Sequence, residues 1–98
     1  MGERRLGSPA GRVVTTGPMG FGEALAALRS GGCVTRAGWS GRGQWIALQV
    51  PDDGSKMRKP YIYISPVDGE LVPWIASQGD LLAEDWWPFR PPRVTEAL

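Results

Sequence analysis

The sequence has no histidine and a single cysteine, Cys33. The usual zinc sites and the usual general base are therefore absent, and an internal disulfide is excluded. No apolar run approaches the roughly 18–20 residues that a membrane span needs. The N-terminus also lacks the hydrophobic centre of a signal peptide. We therefore expect a soluble cytoplasmic protein in a reducing compartment, without a membrane partner. Net charge is small, +1 over 98 residues. It divides into a basic start, a slightly acidic middle and a slightly basic end, which argues against a general grip on duplex nucleic acid.

What the chain does have is glycine and tryptophan, 14 and five residues respectively. Five indoles exceed what one small core needs, so some are expected at a subunit interface or in a pocket. A chain of this length holds one domain. Residues 1–18, rich in Gly, Pro, Ser, Thr and Arg, read as a flexible tail, and residues 90–98, opened by Pro91-Pro92, as another. The domain between them, 19–89, is small enough that its core alone gives marginal stability, and oligomerisation is a natural remedy. Met19, where patterning begins, could serve as an internal start.

Along the domain, Phe21, Leu25 and Leu28 at i, i+4, i+7, with Ala24 beside them, predict an amphipathic helix ended by Gly31-Gly32. A strand follows over 33–37, with Val34 and Arg36 on one face. Residues 38–43 form a glycine-punctuated loop presenting Trp39 and Arg42, and 44–50 resumes alternation with Ile46, Leu48 and Val50 inward. After a polar connection over 51–59, Tyr61 to Ser65 alternates. Asp68-Gly69 predicts a hairpin turn, and 71–75 reads as a strand that Pro73 assigns to an edge or bulge. Ser77 followed by Asp80 is a capping-box pattern, so a second helix is expected to start at Ser77. Leu81, Leu82 and Ala83 should face inward, and Asp80, Glu84 and Asp85 outward. Trp86 is expected against the core, at the start of a short last strand to Phe89. The order predicts an α+β fold: a small antiparallel sheet of four to five strands with two short helices packed on it, in an oligomer.

The residues leave several roles open. Trp39 either stacks on a flat ligand or plugs a corner of the core. Arg36 either contacts a phosphate or pairs with a carboxylate such as Asp80 or Asp85. Arg42 could clamp a phosphate or be a solvated loop charge, and the same applies to the cluster Lys56, Arg58 and Lys59. Ser77, Gln78 and Asp80 could meet an anion or ribose hydroxyls, with Ser77 and Asp80 better suited to capping and Gln78 to ligand contact. Trp74 could wall a pocket or an interface, and Phe21 a pocket or the core.

Three stretches, Gly20-Phe21-Gly22-Glu23-Ala24-Leu25 through Gly31, Val34-Thr35-Arg36-Ala37-Gly38-Trp39, and Val72-Pro73-Trp74 with Ser77 to Trp86, together resemble the Thoeris anti-defence 2 family of small, mostly phage-encoded proteins. The resemblance implies a non-enzymatic sponge with no cofactor, a homotetramer that sequesters cyclic ADP-ribose-type immune signals and, in some relatives, cyclic di- or trinucleotides. It places a ligand-stacking tryptophan at Trp39. The usual Gly-Trp-Asn-Gly tip reads Gly38-Trp39-Ser40-Gly41 here, a difference that bears on ligand selectivity. Two other classes remain beside it: a protein-interaction or minor virion module gripping a partner with its tryptophans, and a nucleotide hydrolase using Asp80, Glu84 and Asp85.

Overall fold

A computed structural model describes residues 17–91. The expected tails fall almost wholly outside the described residues. Seven elements follow in the order α1 (Phe21–Arg29), β1 (Cys33–Arg36), β2 (Trp45–Gln49), β3 (Tyr61–Ser65), β4 (Val72–Pro73), α2 (Gln78–Leu82) and β5 (Trp86–Phe89). The strands make one antiparallel sheet in the order β4-β3-β2-β1-β5. The α+β class is thus as expected.

Helix α1 begins where Glu23 reaches back to accept from the Gly20 N–H at 3.1 Å. It ends at Gly31, whose φ of +97° suits a residue without Cβ, while the Gly32 N–H donates to the Ala27 carbonyl at 2.9 Å. Its buried stripe, Ala24 and Leu28, packs with Met19, Val34, Ile46 and Trp86 to form the core. Met19 also pairs its backbone with Trp86, at 2.8 and 3.1 Å. This extra bridge ties the chain before α1 to β5.

Register assigns each side chain to a face, because residues directly opposite one another point the same way. Val34, Arg36, Ile46, Leu48, Ile62, Ile64 and Trp86 share the face beneath α1. Cys33, Thr35, Trp45, Ala47, Tyr63, Trp87 and Phe89 share the other. No helix among the described residues covers that second face. The Asp68-Gly69 turn forms as its residues demand: Gly69 has φ +81°, its N–H donates to Pro66, and Asp68 accepts from the Glu70 N–H. Pro73 does lie in an edge strand, where a missing N–H costs no ladder bond.

Five expectations need correction. Leu81 and Leu82 do not face inward; Leu82 is 77% exposed. Asp80, expected on the wet side, is buried at 8%. The reason is that α2 is a single turn, too short for an apolar stripe to set its roll, so the anchoring of the Asp80 carboxylate sets it instead. Val50 lies past the end of β2 and is exposed. The strand expected over 71–75 shortens to two residues, and Ile75 beyond it is 89% exposed. Finally, α2 leans on α1, whereas α1 alone packs broadly across β1, β2 and β5.

Candidate ligand-binding site

At one end of the covered face, four aromatic rings from four segments meet. Trp86, fully buried at the head of β5, forms the floor. Phe21 from the first turn of α1 and Trp39 from the β1–β2 loop each lie 5.4 Å from it, centroid to centroid. Trp74, following β4, lies 6.0 Å away. Phe21, Trp39 and Trp74 are only half-buried and make a rim, with Trp74 at 6.0 Å from Phe21 and 6.5 Å from Trp39. The tilted and edge-to-face angles are those that ring quadrupoles prefer. Sequence spacing could not have assembled this bowl, since its members are separated by up to 65 positions; only the fold brings them together.

The bowl is fixed by a polar cluster beside it. Asp80 Oδ1 accepts from the Trp39 indole N–H at 3.0 Å and from Arg36 Nη1 at 2.8 Å. Its Oδ2 accepts from the Ser77 N–H at 3.0 Å, while the Asp80 N–H donates to Ser77 Oγ, also at 3.0 Å, completing the capping box. The buried Trp86 indole donates to the Asp80 main-chain carbonyl at 3.0 Å. Asp85 takes Arg36 Nε on Oδ1 at 2.8 Å and the Gly38 N–H on Oδ2 at 2.7 Å.

These contacts set the charges. Burial pushes the Asp80 carboxyl up, but bonds from the Ser77 amide, the Trp39 indole and Arg36 outweigh it and hold Asp80 below the ordinary carboxylate range. Asp85 is held low chiefly by Arg36, against partial burial and with help from the Gly38 amide. Arg36 in turn is raised by Asp85 and Asp80, and stays charged. Two carboxylates face one guanidinium, so the cluster carries a net negative charge.

Of the eight candidate residues, Phe21, Trp39, Arg36, Trp74, Ser77 and Asp80 converge on this bowl and its polar edge. Both alternatives for Arg36's carboxylate partner hold at once. Gln78 is exposed at the first position of α2, and Arg42 is exposed on the loop that carries Trp39. The capping box uses the amides of Ser77 and Asp80, so those two groups do not face an anion. Lys56, Arg58 and Lys59 are exposed on the β2–β3 connection, at the other end of β2 from the Trp39 loop. A cavity of about 330 Å³ lies there, lined by Gln49, Pro51, Ser55, Lys56, Met57 and Tyr61. None of the eight candidates lines it.

Sequence reasoning missed two features. The first is Gly38: a Cβ there would come within 2.8 Å of Asp85 Oδ2 and 3.0 Å of Arg36 Nη2, so any other residue would push against the ends of the clamp's side chains. The second is an aromatic ladder on the uncovered face. Trp45 stacks on Phe89 at 6.3 Å and 18° and meets Tyr63 edge-on at 6.0 Å. Trp45 standing opposite in phase to Ile46 and Leu48 was the available signal.

The family model described as Thoeris anti-defense 2-like domain matches residues 19–87. That span contains the bowl, the capping box and both carboxylates. A protein of Bacillus phage SP01 called Thoeris anti-defense 2 is 36% identical over 81 residues, covering 69% of this chain and 91% of its own length. Agreement of this extent over nearly all of the described fold means that the chain belongs to the Thoeris anti-defense 2 family.

Proposed function

We propose that this protein counters bacterial immunity as a sponge: it binds a cyclic ADP-ribose-type signal, or a cyclic di- or trinucleotide, and withholds it from its effector unchanged. The observation that carries this reading is the bowl of half-buried rings, with the edge of one indole pinned. A nucleotide base laid on such a ring gains about 1–3 kcal/mol. The exposed Arg42 and Gln78 lie on the segments bordering the bowl and suit a ligand's phosphates and ribose hydroxyls.

A sponge fits the carboxylates better than a hydrolase does. Asp80 and Asp85 are both committed to Arg36 and held below the usual range, the opposite of what a general acid near neutral pH needs. No helix of the described residues is long and apolar enough to cross a membrane, which is compatible with action in the cytoplasm of an infected cell.

Assembly into a homo-oligomer, a tetramer by family analogy, is part of the proposal. Two surfaces support it. The uncovered sheet face carries Trp45, Tyr63, Trp87 and Phe89 and, among the described strand residues, no ionised side chain. The segments that carry Trp74 and Asp80 also expose Leu71, Val72, Ile75, Leu81 and Leu82. A second protomer seated there would deepen the bowl into a pocket.

The deciding experiment is mass spectrometry of small molecules released by heat from protein mixed with lysates of signal-producing cells. Recovery of an intact cyclic nucleotide supports the sponge. Recovery of a linear or cleaved product indicates an enzyme, and retention of a partner protein without any nucleotide indicates an interaction module.

A further inference from the structure

The polar cluster has a hub, and the hub is one carboxylate. Asp80 Oδ1 takes donors from the Trp39 ring and the Arg36 side chain, Oδ2 takes the Ser77 amide, and the residue is almost wholly buried. Three of its roughly four acceptor positions are filled from within the protomer. The three donors come from different places in the chain: the β1–β2 loop, the end of β1 and the start of α2. A glycine-punctuated loop has little stiffness of its own, and of its side chains Trp39 is the one anchored to a distant element.

We infer that Asp80 is a positioning residue: its side-chain carboxylate holds the Trp39 indole by the ring N–H and ties it to Arg36 and to the cap of α2. The ring is thereby set in its receiving orientation before any ligand arrives. That this orientation serves ligand stacking rests on the function proposed above; the anchoring itself does not. Preorganisation of this kind strengthens binding by removing the cost of ordering the ring during association.

The molecule supplies its own control, because the Trp86 indole is held by the main-chain carbonyl of the same residue, which no side-chain substitution removes. In Asp80→Asn, one amide oxygen cannot serve all three donors, and the amide's own N–H group faces at least one of them. The test is hydrogen exchange of the indole N–H groups in ¹⁵N-labelled full-length protein, with the Trp39 signal assigned by its loss in Trp39→Phe. The expected result is exchange at Trp39 faster by at least about tenfold in Asp80→Asn, with Trp86 still protected. Unchanged protection at Trp39 would overturn the inference, and so would equal loss at both rings in a variant that remains folded.

If Asp80→Asn does not fold, Trp39→Phe removes the same bond from the other side. The Asp80 carboxyl carbon, followed by NMR, should then titrate at a higher pH than in the parent protein; no change refutes the anchoring. Calorimetry with cyclic ADP-ribose adds the functional arm. Asp80→Asn should weaken binding about tenfold in the parent but leave it unaltered in a Trp39→Phe background. Additive losses would make Asp80 a direct ligand contact instead. Absence of binding to the parent protein counts against the sponge, while the ligand-free exchange experiment still decides the anchoring.

Discussion

The two faces of the sheet carry similar numbers of aromatic rings and use them differently. On the covered face, the indoles of Trp39 and Trp86 both donate to Asp80, one to its carboxylate and one to its carbonyl. On the uncovered face, Trp45 meets Tyr63 and Phe89 ring to ring, and burial pushes up the Cys33 thiol and the Tyr63 phenol. Aromatic content alone therefore does not tell the two faces apart. Polar anchoring does, because a hydrogen-bonded indole edge fixes a ring's orientation, whereas an apolar face needs only to leave water.

The comparison can be broken most forcefully at its shared floor. Trp86→Ala should destabilise by about 3–5 kcal/mol, read from the midpoint of chemical denaturation, and should take the bowl with it. A small shift would mean that the ring contributes little to the core. Next comes Trp39→Ala, expected to lose nucleotide binding in calorimetry while keeping cooperative unfolding and its oligomeric mass. Normal binding by this variant would remove the stacking role.

The uncovered face is tested by Trp87→Lys, which introduces a charge at a side chain exposed in the protomer. Light scattering should report a smaller particle that is still folded; an unchanged mass would exclude that face from the interface. Gly38→Ala is a finer test of the covered face. Its Cβ would crowd the Asp85–Arg36 pair, and overpacking of this kind costs about 1–3 kcal/mol. A melting curve equal to that of the parent would show the loop to be more yielding than its contacts imply.

The smallest effect expected is on acid stability. Asp80 and Asp85 are lowered in the folded state, so the unfolded chain binds more protons between their folded values and the ordinary carboxylate value near about 4. Their stabilisation is present above that value and disappears as pH falls through the folded values. Thermal melting should be level near neutrality and decline below about pH 4, with a shallower decline in Asp80→Asn. Identical acid limbs would show that Asp80 contributes little to this behaviour.

Much of the fold could be read locally. The stripe of Phe21, Ala24, Leu25 and Leu28, the alternation in Tyr61 to Ser65, the Asp68-Gly69 turn and the Ser77–Asp80 box are short-range patterns, and each formed where its pattern lay. The errors over Leu81, Leu82 and Asp80 arose at α2, where a single turn leaves periodicity too little length to determine which side faces inward. Those over Val50 and Ile75 arose at strand ends. The site was legible only as candidate residues. Trp39, Trp74, Arg36 and Asp80 were identifiable as candidates, and a pairing of Arg36 with Asp80 or Asp85 was one of the alternatives open, but the ring geometry was not.

The sequence by itself determined the identity of the elements and the supply of rings, because turns, caps and periodicity act over a few residues. Only the tertiary structure decided that Asp80 turns inward, that Arg36 lies between two carboxylates, and that Phe21, Trp39 and Trp74 close around Trp86. Those outcomes depend on register between strands distant in the chain and on satisfying polar groups during burial. Neither can be computed from one segment in isolation.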